Sequence, residues 1–300
     1  MVEARVAIVT GGGGSIGRAV SVALAAQGVS VVVSGHDGES CHADRGMAAV
    51  DATVAQIRKL GGAAVADYSG VESLKKAHAV VRMARQSFGP VSILVNNAGI
   101  IADRKFQHMR EADFDRVVRT NVYGAFYVTR AAWPDLVFSG TGRVINMTSA
   151  VGLWGNAGQV NYAVSKAGIV GLTRSLALEG VADGVLVNAV APVSASRLTK
   201  EVLDDTAQQK FSPAYVAALV AYLASPVCAL SGATIEAGGG YYARVLLAAA
   251  PALVAENPPT VDSLAAHFTS SPLQKEPASA RHAVELMCEA LGVQAPWRQR

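Results

Sequence analysis

Cysteine is scarce in this 300-residue chain: Cys41, Cys228 and Cys288 are odd in number and far apart. That excludes a disulfide framework or a zinc-ligand cluster and fits a reducing compartment. Charge is sparse too, at 16%, with 26 Lys and Arg against 23 Asp and Glu. No basic run is available to track a nucleic-acid backbone. The longest nearly uncharged apolar stretch, residues 245–255, falls short of the about 20 apolar residues that a membrane-spanning helix needs. The first residues run into a strand pattern without a charged and apolar leader, and Trp297-Arg298-Gln299-Arg300 is no peroxisomal tripeptide. A cytoplasmic protein is therefore expected. What the chain does hold is 51% hydrophobic residues, enough for a sizeable core and incompatible with overall disorder.

Glycine and proline divide the sequence. Only Gly292 among the 29 glycines lies beyond residue 240, whereas six of the 11 prolines do. Up to that point short β-branched runs at 6–10, 29–34, 63–68, 92–96, 143–148, 185–190 and 234–236 alternate with helical spacing at 16–27, 50–60, 73–88, 113–137 and 162–178. Strand and helix alternating at this interval predict an α/β fold, a doubly wound parallel sheet with helices on both faces. Continuous apolar cores such as Ile93-Leu94-Val95 suit strands buried on both sides. Residues 241–300 read as a helical extension, packed on the same domain or on a partner subunit, because so short and proline-rich a segment makes a poor independent core.

The first strand ends in Thr10-Gly11-Gly12-Gly13-Gly14-Ser15-Ile16-Gly17, and a helix follows at once. Glycines at such a turn let the backbone approach a pyrophosphate, while the helix N-terminus offers unpaired N–H groups and a partial positive charge. Gly11, Ser15, Ile16 and Gly17 are the expected phosphate contacts. An acidic residue at the end of the second strand selects NAD and a basic one NADP. Gly35 stands at that place, with His36 and Asp37 after it, so both nucleotides remain open. The third strand ends in Asp67-Tyr68-Ser69.

Tyr162-Ala163-Val164-Ser165-Lys166 carries the strongest chemical signal. Residues four apart share a helix face, so the phenol and the ammonium can address one substrate. A phenol with pKa about 10 is a poor base at neutral pH unless a nearby cation favours its anion, and Lys166 supplies one. Ser149 ends the strand at 143–148 on the sheet's carboxyl side, where such sites form. No metal-ligand cluster is predicted.

With Asn96-Asn97-Ala98-Gly99 and Asn121 added in order and spacing, the constellation resembles the short-chain dehydrogenase/reductase family. The resemblance implies a Rossmann-type NAD(P)-binding domain over residues 1–240. In it Tyr162 is the proton donor or acceptor, Ser149 orients the substrate oxygen, and Lys166 binds the ribose and lowers the phenol pKa. Asn121 holds a water in the proton relay, and Asn97 and Gly99 line the nicotinamide side. Ser15 replaces the family's middle glycine, and Pro192-Val193 replaces its Pro-Gly, so the contact to the nicotinamide amide falls to Val193. The resemblance also implies a homodimer or homotetramer, paired through the helices within 113–137 and 162–178.

Residues 97–106, 129–133, 155–162 and 191–199, with the insertion at 35–50 and the tail, are similar to the (3R)-hydroxyacyl-CoA dehydrogenase part of multifunctional enzyme type 2. This implies a 3-hydroxyacyl or 3-oxoacyl thioester; the apolar residues around Leu153, Trp154 and Val193 suit an acyl chain or a polycyclic ring equally well. Arg104, Lys105, Arg197 and Lys200 are scattered cations near the mouth, more in keeping with a solvated surface than with phosphate binding. The competing expectations are a ketoreductase or non-redox enzyme acting on a steroid, polyketide or other secondary metabolite, and a nucleotide-sensing binding protein.

Overall fold

The computed structural model describes residues 5–35, 43–195, 205–247, 253–255, 257–270, 280–290 and 292. Seven parallel strands, β1 (Val6–Thr10), β2 (Ser30–Ser34), β3 (Ala64–Asp67), β4 (Ile93–Asn96), β5 (Arg143–Met147), β6 (Leu186–Pro192) and β7 (Thr234–Gly238), share a sheet with an antiparallel β8 (Tyr241–Val245). Their order is β3-β2-β1-β4-β5-β6-β7-β8. The direction of winding reverses between β1 and β4, and the crevice outside the carboxyl ends at such a reversal is where ligands bind in open α/β sheets.

All five residues of β1 are buried, and they alternate between two cores. Ala7 and Val9 join Val20 and Leu24 of α1 (Ser15–Ala25), Val50 of α2 (Ala43–Lys59), and a further apolar helix described below. Val6 and Ile8 join Val80 and Val81 of α3 (Leu74–Ser87) and helices on the other face. Each fully buried Val or Leu contributes about 1.5–3 kcal/mol of transfer free energy. A strand covered on both faces has no polar side to show, which is why its sequence reads as an unbroken apolar run.

The helix expected over 113–137 is divided. α4 (Glu111–Val118) and α5 (Gly124–Phe138) flank a wide π turn at Arg119–Tyr123, a distortion frequent at functional sites. Asn121 lies in it and is bonded on both sides, so side-chain hydrogen bonds outweigh the regular ladder there. After β5 come the one-turn α6 (Ala150–Trp154) and the long α7 (Val160–Gly180). The short α8 (Asp205–Lys210) and the almost wholly apolar α9 (Pro213–Ala224) precede β7. α9 packs on α1; its buried Val216 and Val220 complete the first core. With nearly every side chain apolar, α9 shows no amphipathic period and escaped the sequence reading.

A helical extension from residue 241 is not what the fold begins with. Gly239 and Gly240 take φ of 60° and 94°, and Gly238 pairs with Tyr241 across a two-residue hairpin. Two consecutive left-handed residues favour glycine and match the twist of the strands they join. The helices α10 (Val261–Ser270) and α11 (Ala280–Ala290) follow. Val284, Met287 and Cys288 of α11 share a helix face and bury against Phe211, with Val193 and Tyr241 alongside, and α11 also packs on α6. Cys228 and Cys288 are buried free thiols; Cys41 lies outside the described residues.

Candidate active site

The glycine turn is shaped by what side chains would collide with. Gly11 has φ +63°, and a Cβ there would come within 2.9 Å of Ala98 Cα; one on Gly17 would lie 2.2 Å from the Gly11 carbonyl oxygen. Gly14 caps α1 without a side-chain acceptor. The first N–H to return into the helix is that of Arg18, donated to the Gly14 carbonyl at 2.8 Å. The N–H groups of Ser15, Ile16 and Gly17 therefore stand outside the helical ladder at its positive end. Ser15 is exposed as the first helical residue, so its Cβ does not narrow the turn. Ile16 turns its side chain onto the core and has only its backbone to offer a ligand.

Asn97 closes the turn from β4. Its Nδ2 donates to the Thr10 and Gly11 carbonyls at 3.0 and 3.1 Å, while the N–H groups of Asn97 and Ala98 both donate to Thr10 Oγ1 at 3.0 Å. On the adenine side, a Cβ on Gly35 would lie 2.6 Å from Val50 Cγ2, so α2 is seated tightly against this position. His36 and Asp37 lie outside the described residues. Asp67 is buried and accepts from Ser34 Oγ at 2.9 Å and Ser69 Oγ at 2.7 Å. It ties the ends of β2 and β3 together, and Asp67 and Ser69 are engaged with each other.

A buried polar chain carries the order of the sheet to α7. Asn96 Nδ2 donates to Thr129 Oγ1 at 2.9 Å and to Asn146 Oδ1 at 2.8 Å, and Asn146 Nδ2 donates to Thr173 Oγ1 at 2.9 Å. Asn161 fixes the start of α7: its Nδ2 reaches the Ala102 carbonyl at 2.9 Å, and its Oδ1 accepts the Tyr162 N–H at 2.8 Å. The sequence reading holds Asn96 only within the Asn96-Asn97-Ala98-Gly99 motif and gives Asn146 and Asn161 no role; the signal available was the asparagine that β4 and β5 each carry.

Tyr162, Lys166 and Ser149 come together at the carboxyl edge. Lys166 is 4% exposed; its Nζ donates to the Met147 carbonyl at 2.7 Å and lies 5.6 Å from the centre of the Tyr162 ring. Ser149 caps α6 in extended conformation, its Oγ accepting the Val151 N–H at 3.2 Å, and it faces the Tyr162 phenol closely enough to lower its proton affinity. A Cβ on Gly99 would meet Asn121 Oδ1 at 3.2 Å and Lys166 Nζ at 3.4 Å, so the side-chain-free Gly99 stands beside the ammonium. Asn121 Oδ1 accepts the Ile100 N–H at 2.8 Å, and its Nδ2 donates to the Ile100 carbonyl at 3.1 Å and Ser165 Oγ at 3.0 Å. Both amide hydrogens and one lone pair of Oδ1 thus join the exit of β4 to α7.

The protonation balance differs from the sequence expectation. Burial pushes the Tyr162 phenol up to about 12; the Ser149 hydrogen bond pulls it down and the Asp103 carboxylate pushes it up. Burial also pushes the Lys166 ammonium down to about 8. Desolvation therefore outweighs the help that Lys166 was expected to give the phenolate. Val193 donates its N–H to the Ala237 carbonyl at 2.8 Å and packs toward α11. Its backbone donor is spent on β7.

The residues fit a pyridine nucleotide. The N–H groups opening α1 suit a pyrophosphate, and the buried ammonium of Lys166 uses one of its three donors on Met147. The sequence pattern described as short chain dehydrogenase matches residues 5–207. The peroxisomal multifunctional enzyme type 2 of Mus musculus is 40% identical over 81% of this chain, which spans 33% of that enzyme's length. The acetoacetyl-CoA reductase of Allochromatium vinosum is 34% identical over 80% of this chain and 99% of its own. The crystal structure of a short chain dehydrogenase from Mycobacterium avium superposes with a TM-score of 0.80 at 34% identity, covering 92% of this chain and 98% of that one.

Proposed function

The chain belongs to the short chain dehydrogenase family, and from that premise we propose that it interconverts a secondary alcohol and a ketone with NAD or NADP, at the 3-position of a 3-hydroxyacyl-CoA or 3-oxoacyl-CoA. The observation that carries the reading is the convergence of Ser149 and Tyr162 at the carboxyl edge with buried Lys166 behind them, its Nζ 5.6 Å from the centre of the phenol ring. When bound, the nicotinamide nucleotide supplies or accepts the hydride. Ser15, Ile16 and Gly17 would hold its phosphates through backbone N–H groups, and the two remaining donors of Lys166 would hold its ribose.

Tyr162 moves the proton. A phenol held up at about 12 is protonated at neutral pH, the form that donates to a ketone oxygen gaining negative charge. The free enzyme is thus poised for reduction. Ser149 donates to the same oxygen and orients it. Oxidation needs the phenolate, which burial disfavours.

The acyl thioester reading draws on the reductase relative that is named for acetoacetyl-CoA and on the wall formed by α6, Val193 and α11. One observation favours the second reading, a ketoreductase acting on a steroid or polyketide: Arg104 lies 3.8 Å from Asp113, which leaves exposed Lys105 as the one candidate phosphate cation of the sequence reading without an ion pair among the described residues. An assembly of two or four copies belongs to the same proposal; Tyr123, Phe126 and Val164 stand exposed on the π turn, α5 and α7. Following nicotinamide absorbance with acetoacetyl-CoA and longer 3-oxoacyl-CoA substrates tests it. Turnover with NADH or NADPH is expected. Silence at every chain length, with turnover of a steroid or polyketide ketone, would replace the first reading with the second.

A further inference from the structure

α6 has five residues, too few for a helix to sustain itself, yet its capping residue is Ser149. Three contacts hold it besides the packing of α11. At its start Ser149 Oγ accepts the Val151 N–H. In its middle Gly152 lies so close to α7 that a Cβ would stand 2.5 Å from the Lys166 carbonyl carbon. At its last residue Trp154 Nε1 donates to Glu236 Oε1 at 3.0 Å. Glu236 is 8% exposed in β7, between buried Ile235 and Ala237. Burial pushes its carboxyl up and the indole N–H pulls it back down. A buried acid costs stability unless its hydrogen bond does something an apolar residue cannot.

We propose that Glu236 is a positioning residue for Ser149. Its bond to Trp154 pins the far end of α6, and because the helix is one turn long, that pin sets the direction of the Ser149 hydroxyl at the near end. Gly155 has φ +71° directly after Trp154, so the chain leaves α6 sharply and the indole is its last point of attachment. The bond joins residues 82 apart in sequence. The inference rests on the oxidoreductase reading of the site.

Glu236→Leu removes the acceptor at similar volume. We expect kcat with the active ketone to fall about tenfold, KM for the nucleotide to stay within about twofold, and the amides of residues 150–155 to exchange hydrogen about tenfold faster. Trp154→Phe removes the donor and should do the same. The double variant should fall no further than either single one, the signature of one shared bond. Glu236→Gln keeps an acceptor oxygen for the indole and should retain at least about half of kcat. Wild-type kcat in Glu236→Leu, unchanged exchange in α6, multiplying losses in the double variant, or a Glu236→Gln loss as deep as that of Glu236→Leu would each overturn the proposal. Should Glu236→Leu fail to fold, Trp154→Phe and Glu236→Gln make the same comparison. A wild-type enzyme silent with every ketone would defeat the functional reading alone, and the exchange measurement would still decide this one.

Discussion

Gly17 and Lys166 stand on the same carboxyl edge of the sheet, one in the turn that opens α1 and the other midway along α7, and they work by opposite means. At Gly17 the useful feature is an absent side chain, since a Cβ would lie 2.2 Å from a backbone oxygen. At Lys166 it is a long charged side chain that packing has almost completely removed from water. The turn side is governed by sterics, which act over tenths of an ångström and do not depend on pH. The catalytic side is governed by desolvation, which sets proton affinity. Substitutions on the two sides should accordingly fail in different ways.

The largest effect belongs to the catalytic side. Tyr162→Phe removes only the hydroxyl proposed to carry the proton, so kcat should fall about 10³-fold, within the range general acid catalysis supplies, while nucleotide affinity by fluorescence titration changes less than about twofold. Activity above about a tenth of wild type would break the assignment. On the turn side, Gly17→Ala meets backbone that cannot step aside, at a cost of about 1–3 kcal/mol, and nucleotide affinity should drop at least about tenfold. Gly14→Ala, whose Cβ would find only the Gly11 oxygen at 3.4 Å, should shift stability by less than about 0.5 kcal/mol. Equal losses in the two alanine variants would refute a steric account of the turn.

The catalytic side also sets stability against pH. Lys166 is lowered from 10.5 to about 8, so between those values the unfolded chain holds a proton that the folded chain has released. Stability rises with pH across that window, by about 2 kcal/mol between about pH 8 and pH 10. Tyr162 is raised from 10.0 to about 12; there the folded chain keeps the proton longer, and stability falls as pH climbs from 10 toward 12. Urea unfolding at about pH 8, 9 and 10 should show the rise in wild type and a flatter profile in Lys166→Met. Parallel profiles would mean that burial does not control this ammonium.

Legibility in the sequence followed the range of the interaction. Seven strands were readable because a parallel strand buried on both faces is a short local apolar run, and the glycine turn because its residues are contiguous. β8 was hidden: Tyr241, Tyr242 and Arg244 made its alternation half polar, and a tail of prolines drew the eye to helices. α9 was hidden because uniform apolarity has no period. Asn121 was placed in a continuous helix since nothing local announces that its amide will bond Ile100 and Ser165, 21 and 44 residues away.

The sequence by itself determined that Tyr162 and Lys166 share a helix face, that α1 begins with unpaired N–H groups at a glycine turn, and that Ser149 ends a strand on the carboxyl side. All three follow from periodicity and chain direction over a few residues. Only the tertiary structure decided that the phenol is held protonated and the ammonium weakened, that Val193 gives its N–H to β7, and that Glu236 reaches Trp154. Burial is the sum over every neighbour that packing brings near, and such neighbours come from anywhere in the chain.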